Sequence, residues 1–121
     1  MSSLLADRFD AGYRADAWNP SPMYKGGVWK AQIELPVANL TDTVFSIYAR
    51  QEKSDETKLF DISYSSEIVD GLVVLDIIAT SANTATVTSD DVHITAQFTD
   101  TSTSQVYVYV ESVIPTGIKV L

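Results

Sequence analysis

In the stretch Val73-Val74-Leu75-Asp76-Ile77-Ile78-Ala79, alternation puts Val73, Leu75, Ile77 and Ala79 on one face of an extended chain. A period of two is the signature of a strand with one face against a core. The same period recurs from Val28 onward. A first strand over 28–35 turns Trp29, Ala31, Ile33 and Leu35 inward against Lys30, Gln32 and Glu34, and Pro36 ends it. A second, 44–50, buries Phe45, Ile47 and Ala49; a third, 58–64, aligns Phe60, Ile62 and Tyr64. Asp70-Gly71 is a strong hairpin signal and opens the fourth, 72–79. Residues 81–88 read as a polar crossing with room for one helical turn. The fifth strand, 91–99, points Val92, Ile94, Ala96 and Phe98 inward. The sixth, 105–113, alternates Val106, Val108 and Val110 with Tyr107, Tyr109 and Glu111, with the valines taken as inward. Pro115-Thr116-Gly117 then turns into a short last strand at 118–121. Seven short antiparallel strands separated by turns predict an all-β, immunoglobulin-like sandwich over 28–121.

Residues 1–27 differ in character. Asn19-Pro20-Ser21-Pro22 forbids helix at that point. Upstream, Leu5, Phe9, Tyr13 and Ala17 recur every fourth residue, as on one stripe of a short helix, but Gly12 interrupts it. The preferred reading is an extended N-terminal docking arm whose Phe9, Tyr13, Trp18 and Tyr24 anchor a partner, with Lys25-Gly26-Gly27 as the hinge.

Charge follows the same division. Arg8, Arg14 and Lys25 balance Asp7, Asp10 and Asp16, so the net charge of −8 belongs to residues 28–121. An acidic body without a basic stripe repels phosphate backbones, so no nucleic-acid partner is expected. The absence of cysteine excludes disulfides, thiolate catalysis and Cys-ligated zinc. The opening residues hold only a three-residue apolar stretch, Leu4-Leu5-Ala6, so neither a signal peptide nor a membrane partner is expected.

Chemistry-bearing constellations are sparse. Asp90-Asp91 with Asp100 offers oxygens to calcium but no shaped binding loop, and a solvated turn is the simpler reading. Glu52, Asp55 and Glu56 read as a charged hairpin tip. The single histidine, His93, falls on the outer face of its strand without companion ligands. No nucleophile elbow, zinc helix motif or phosphate loop occurs. The chain is therefore expected to be no enzyme, with no catalytic residues, metal or cofactor. Tyr107 and Tyr109 are placed on an outward face, where exposed aromatics serve an interface or a sugar platform, or lie under the arm.

One set of features resembles a known family. These are the opening strand Trp29 to Leu35, Asn39-Leu40-Thr41-Asp42-Thr43 before Val44 to Arg50, and Leu59-Phe60-Asp61-Ile62-Ser63. The run Ile68 to Ile77, the link Ser81 to Val87 and the closing Pro115-Thr116-Gly117 complete it. Together they resemble the small β-sandwich domains of tailed-bacteriophage structural proteins, notably the N-terminal domain of upper baseplate proteins and its stand-alone relatives. The resemblance implies a non-enzymatic virion structural subunit, assembled in the host cytoplasm and anchored on tail, baseplate or fibre proteins through residues 1–27. It further implies other virion proteins as partners and a homo-oligomer in the assembly. A capsid decoration protein on the phage head is the alternative, and a carbohydrate-binding or adhesin module is a third reading.

Overall fold

The computed structural model describes residues 2–15, 18–52 and 54–117. Its core is two antiparallel sheets packed face to face. Strands β1 (Trp29–Glu34), β5 (Leu72–Ala79) and β4 (Ser63–Val69) form the first sheet, in the order β1-β5-β4. Strands β3 (Phe60–Asp61), β2 (Thr43–Arg50), β6 (Asp91–Asp100) and β7 (Gln105–Pro115) form the second, in the order β3-β2-β6-β7. A single helical turn, α2 (Ser81–Thr84), carries the chain from β5 to β6, capped by the Thr80 side chain. The alternating residues of β1, β2, β5 and β6 meet as expected: Ile33, Phe45, Ile47, Val73, Leu75, Ile77, Ile94 and Phe98 are all buried between the sheets.

Three expectations are corrected. The third strand does not run as one piece over 58–64. The chain leaves the second sheet at Ile62, whose N–H donates to Ile47 O, and enters the first sheet at Ser63. The new strand continues to Val69, a segment whose polar and exposed residues carry no core pattern. Asp70 and Gly71, at φ 52° and 81°, then make the hairpin turn that Asp-Gly favours.

The second correction concerns β7. Ala96 faces Val110 but Gln97 faces Val108, so Tyr109 is an extra residue, a β-bulge. A bulge reverses the phase of alternation. Val110 is inward as expected, whereas Val106 and Val108 lie on the outer face and Tyr107 and Tyr109 turn to the core side. The Val-Tyr repeat is apolar in both phases, so its period alone cannot say which phase faces the core.

The third concerns the N-terminal segment, which is not an extended arm over its first part. Residues Leu4–Asp10 form helix α1, opened by Ser3, whose Oγ accepts from Ala6 N at 3.1 Å. At its end Gly12 N donates to Phe9 O and Tyr13 N to Arg8 O, with Gly12 at φ 100°. This is a Schellman closure, in which glycine takes the left-handed position just past the helix. Gly12 therefore ends the helix, and the stripe it seemed to interrupt simply stops there. Ala17, the last position of that stripe, and the expected strand at 118–121 lie outside the described residues.

Candidate functional site

Five of the six aromatic residues singled out from the sequence, all but Tyr24, fall on one side of the sandwich, where the β1 and β7 edges leave a gap between the sheets. Helix α1 fills that gap. Leu5 and Ala6 are buried, and the Phe9 ring lies 5.2 Å from Phe98, 5.6 Å from Tyr109 and 5.9 Å from Tyr107. Tyr13 packs edge-on against Phe9. Such ring pairs are favourable because the edge of one ring is positive and the face of the next negative.

Trp18 and the residues after it run along the outside of β1. Trp18 Nε1 donates to Gln32 O at 3.0 Å, and its ring meets Trp29 edge-on at 6.3 Å. Trp29 Nε1 donates in turn to Ser21 O. Met23 is fully buried and its N–H donates to Pro115 O, the last residue of β7. At the expected hinge, buried Thr84 accepts from Gly26 N and donates to Gly27 O. The segment is thus tied to its own domain along most of its described length.

Phe9, Tyr13 and Trp18 accordingly pack against this chain's own core. Tyr24, by contrast, is 47% exposed and free to meet another molecule. Tyr109 is buried, with its hydroxyl donating to Glu34 O across the gap. Tyr107 is half-buried and stacks on Phe98 at 5.0 Å, 15° from parallel. Neither ring is presented as an open sugar platform; of the roles expected for this pair, cover by the N-terminal segment is what the contacts display. A cleft of about 380 Å³ remains beside them, lined by Tyr13, Trp18, Glu34, Pro36 and Tyr109 among others.

Sequence reasoning missed the residue that ties this assembly at its base. Asp100, considered from the sequence as an oxygen beside Asp90-Asp91, is buried and accepts from Ser3 N at 3.2 Å, Ser102 N at 3.1 Å and Ser102 Oγ at 2.7 Å. Burial pushes its carboxyl up, but the hydrogen bonds from Ser102, Ser3 and Thr103 outweigh that and hold it below the ordinary carboxylate value. A carboxyl lowered on folding stabilises the fold above its unfolded pKa and loses that contribution as pH falls through the folded one. Stability should therefore drop below about pH 4, where an ordinary Asp begins to protonate. In Asp100→Asn the protein should be less stable at pH 7, and the gap to wild type should narrow as pH falls to 2–3. Urea titrations across that range measure it; a gap independent of pH would show that the Asp100 charge carries none of the effect.

Burial also raises the Tyr107 hydroxyl, helped by the nearby Asp10 carboxylate. On the outer face of the first sheet, a hydrogen bond and charge from Asp76 raise the exposed Glu67 carboxyl, while Gln32 Nε2 donates to Asp76 at 2.7 Å. Asp91 and Asp100 stand at opposite ends of β6, about 30 Å apart at strand rise, and do not converge on one ion. Among the described residues no group of three or more His, Asp or Glu is placed to hold a metal. No protein-family model matches the chain, and no curated protein matches it either.

Proposed function

We propose that this chain is a non-enzymatic structural subunit of a tailed-phage virion, built on an immunoglobulin-like sandwich. The observation that carries the proposal is the correspondence between strand order and the segments on which the resemblance rests. Lettering β1 to β7 as B, C, C′, D, E, F and G groups the sheets as B-E-D and C′-C-F-G, which supports an immunoglobulin-type reading without strand A. The segment that would be strand A is instead α1 and the run that follows it. The resembling stretches are β1, β2, the β3-to-β4 crossing, the β4–β5 hairpin, α2 and the end of β7. They are the framework of the domain.

In this reading residues 2–27 serve the fold first, and among the described residues the large apolar side chains they leave exposed to a neighbour are Leu4 and Tyr24, both about half exposed. Anchorage on tail, baseplate or fibre proteins would use that remainder together with the sandwich itself. The test is mass spectrometry and immunogold labelling of purified phage particles from the source lysate. Label at the tail is the expected result, and label over the head would reassign the chain as a capsid decoration protein. Its absence from particles would overturn the virion reading.

A further inference from the structure

The four sheet edges of this sandwich are treated unequally. A bare edge strand offers a row of unpaired N–H and C=O groups to any other strand, and natural proteins blunt such edges. The β1 edge carries Lys30 and is overlaid by Trp18, which takes up Gln32 O. The β7 edge is bulged, and Met23 takes up the carbonyl of its terminal Pro115. The β3 edge is two residues long, next to the Lys58–Asp61 ion pair. The β4 edge has none of these devices. It is seven residues long, without Pro, Lys, Arg or bulge, and exposed throughout. Among the described residues no backbone hydrogen bond reaches its outer side.

Its side chains are informative as well. Tyr64, Ser66 and Ile68 pair with Ile77, Leu75 and Val73 and so point to the core side of the sheet. Even so, Ile68 is 59% exposed and Tyr64 37%, although the Tyr64 ring meets Phe45 of the second sheet edge-on at 6.1 Å and its hydroxyl accepts from Phe45 N. An inward-facing isoleucine left in water at a bare edge is half of an interface.

We propose that β4 pairs antiparallel with β4 of a second copy of this chain, about a two-fold axis at Ser66. Self-complementarity selects the occupant and the register. With Ser66 opposite the partner's Ser66, Tyr64 faces the partner's Ile68 and Ile68 faces the partner's Tyr64. These are aromatic–β-branched pairs of the kind that stabilise sheets. Glu67, the only charged residue of β4, then faces the partner's Ser65. A register centred on Glu67 sets two carboxylates face to face, and one centred on Ser65 runs Ile68 past the end of the strand. The result is a continuous six-stranded sheet, β1-β5-β4 joined to its copy, with an isologous interface. The pairing is a property of the free protein and does not depend on the virion reading.

The experiment is sedimentation velocity of the full chain over a range of concentrations, with cross-linking of single-cysteine variants. Wild type should pass from monomer to dimer as concentration rises. Ile68→Lys puts an inward-pointing charge on the edge at a site already exposed. It should keep the wild-type circular dichroism and weaken dimerisation on the order of tenfold or more. The chain has no native cysteine, so Ser66→Cys introduces the only thiol. Residues directly opposite in an antiparallel pair have Cα atoms about 4.5–5.5 Å apart, within disulfide range. Mild oxidation should lock Ser66→Cys as a covalent dimer and leave Ser63→Cys, also exposed but far from its twin, largely monomeric. Wild type that stays monomeric throughout overturns the proposal, as does a dimer indifferent to Ile68→Lys. Equal cross-linking of the two cysteine variants, or failure of Ser66→Cys to lock a dimer that Ile68→Lys abolishes, overturns the register.

Discussion

Deletion of residues 2–24 is expected to abolish cooperative folding of the remaining chain. The segment contributes Leu5, Ala6 and Met23 to the core, each at most 1% exposed, and lays Phe9 over the aromatic cluster. Truncating a buried Leu or Met costs about 2–5 kcal/mol, and two such losses are comparable with a domain's entire stability of about 5–15 kcal/mol. The deletion also exposes Tyr107 and Tyr109 and leaves the Asp100 carboxylate without Ser3. Near-UV circular dichroism and a thermal melt check the result. A flat near-UV spectrum and no sharp transition are expected. A soluble truncated domain with a wild-type melt would instead restore the segment as a dispensable docking arm, and with it the expectation that Phe9 and Tyr13 serve a partner.

Phe98→Ala should be the most damaging single substitution in the β6 strand, at about 3–5 kcal/mol. Phe98 is fully buried where the N-terminal segment meets both sheets. Its ring lies within 5.0–5.7 Å of Tyr107, Phe9 and Phe45, and 6.3 Å from Tyr109. Removing it leaves a cavity that four aromatic rings, each held on a different part of the chain or in a sheet ladder, cannot readily close. Phe98→Leu keeps most of the volume and should cost roughly half as much or less. Urea unfolding of the two variants gives the comparison. Combining Phe98→Ala with Phe9→Ala should cost less than the sum of the single changes, since the two rings share one contact. Strict additivity would mean that the helix and the sandwich are energetically separate.

Legibility in the sequence followed the contrast between neighbouring residues. β1, β2, β5 and β6 alternate apolar with polar side chains, and their buried faces could be read directly. Asp70-Gly71 announced its hairpin because few other residue pairs adopt two positive φ angles at low cost. β4 was read only in its first two residues. Ser63 to Val69 has no apolar stripe to bury, and the strand exists through its ladder with β5. β7 was found but turned over, since valine and tyrosine suit either face and a bulge against Ala96 and Gln97 sets the phase. The role of Asp100 was invisible because its partners, Ser3 and Ser102, are brought together by the fold.

Helix α1 shows where local information ends. Ser3 and Gly12 are ordinary start and stop signals, and they delimit a helix of seven residues. Helices that short are marginal in isolation, so their formation depends on a surface to pack against. The sequence by itself determined a two-sheet sandwich, most of its core faces and the acidic character of its body, because strand periodicity and charge are local properties. Only the tertiary structure decided that the N-terminal segment closes the sandwich, that Tyr107 and Tyr109 face inward, and that β4 is left bare. Each of those depends on which edges lie next to one another, and edge adjacency arises from contacts between residues distant in the chain.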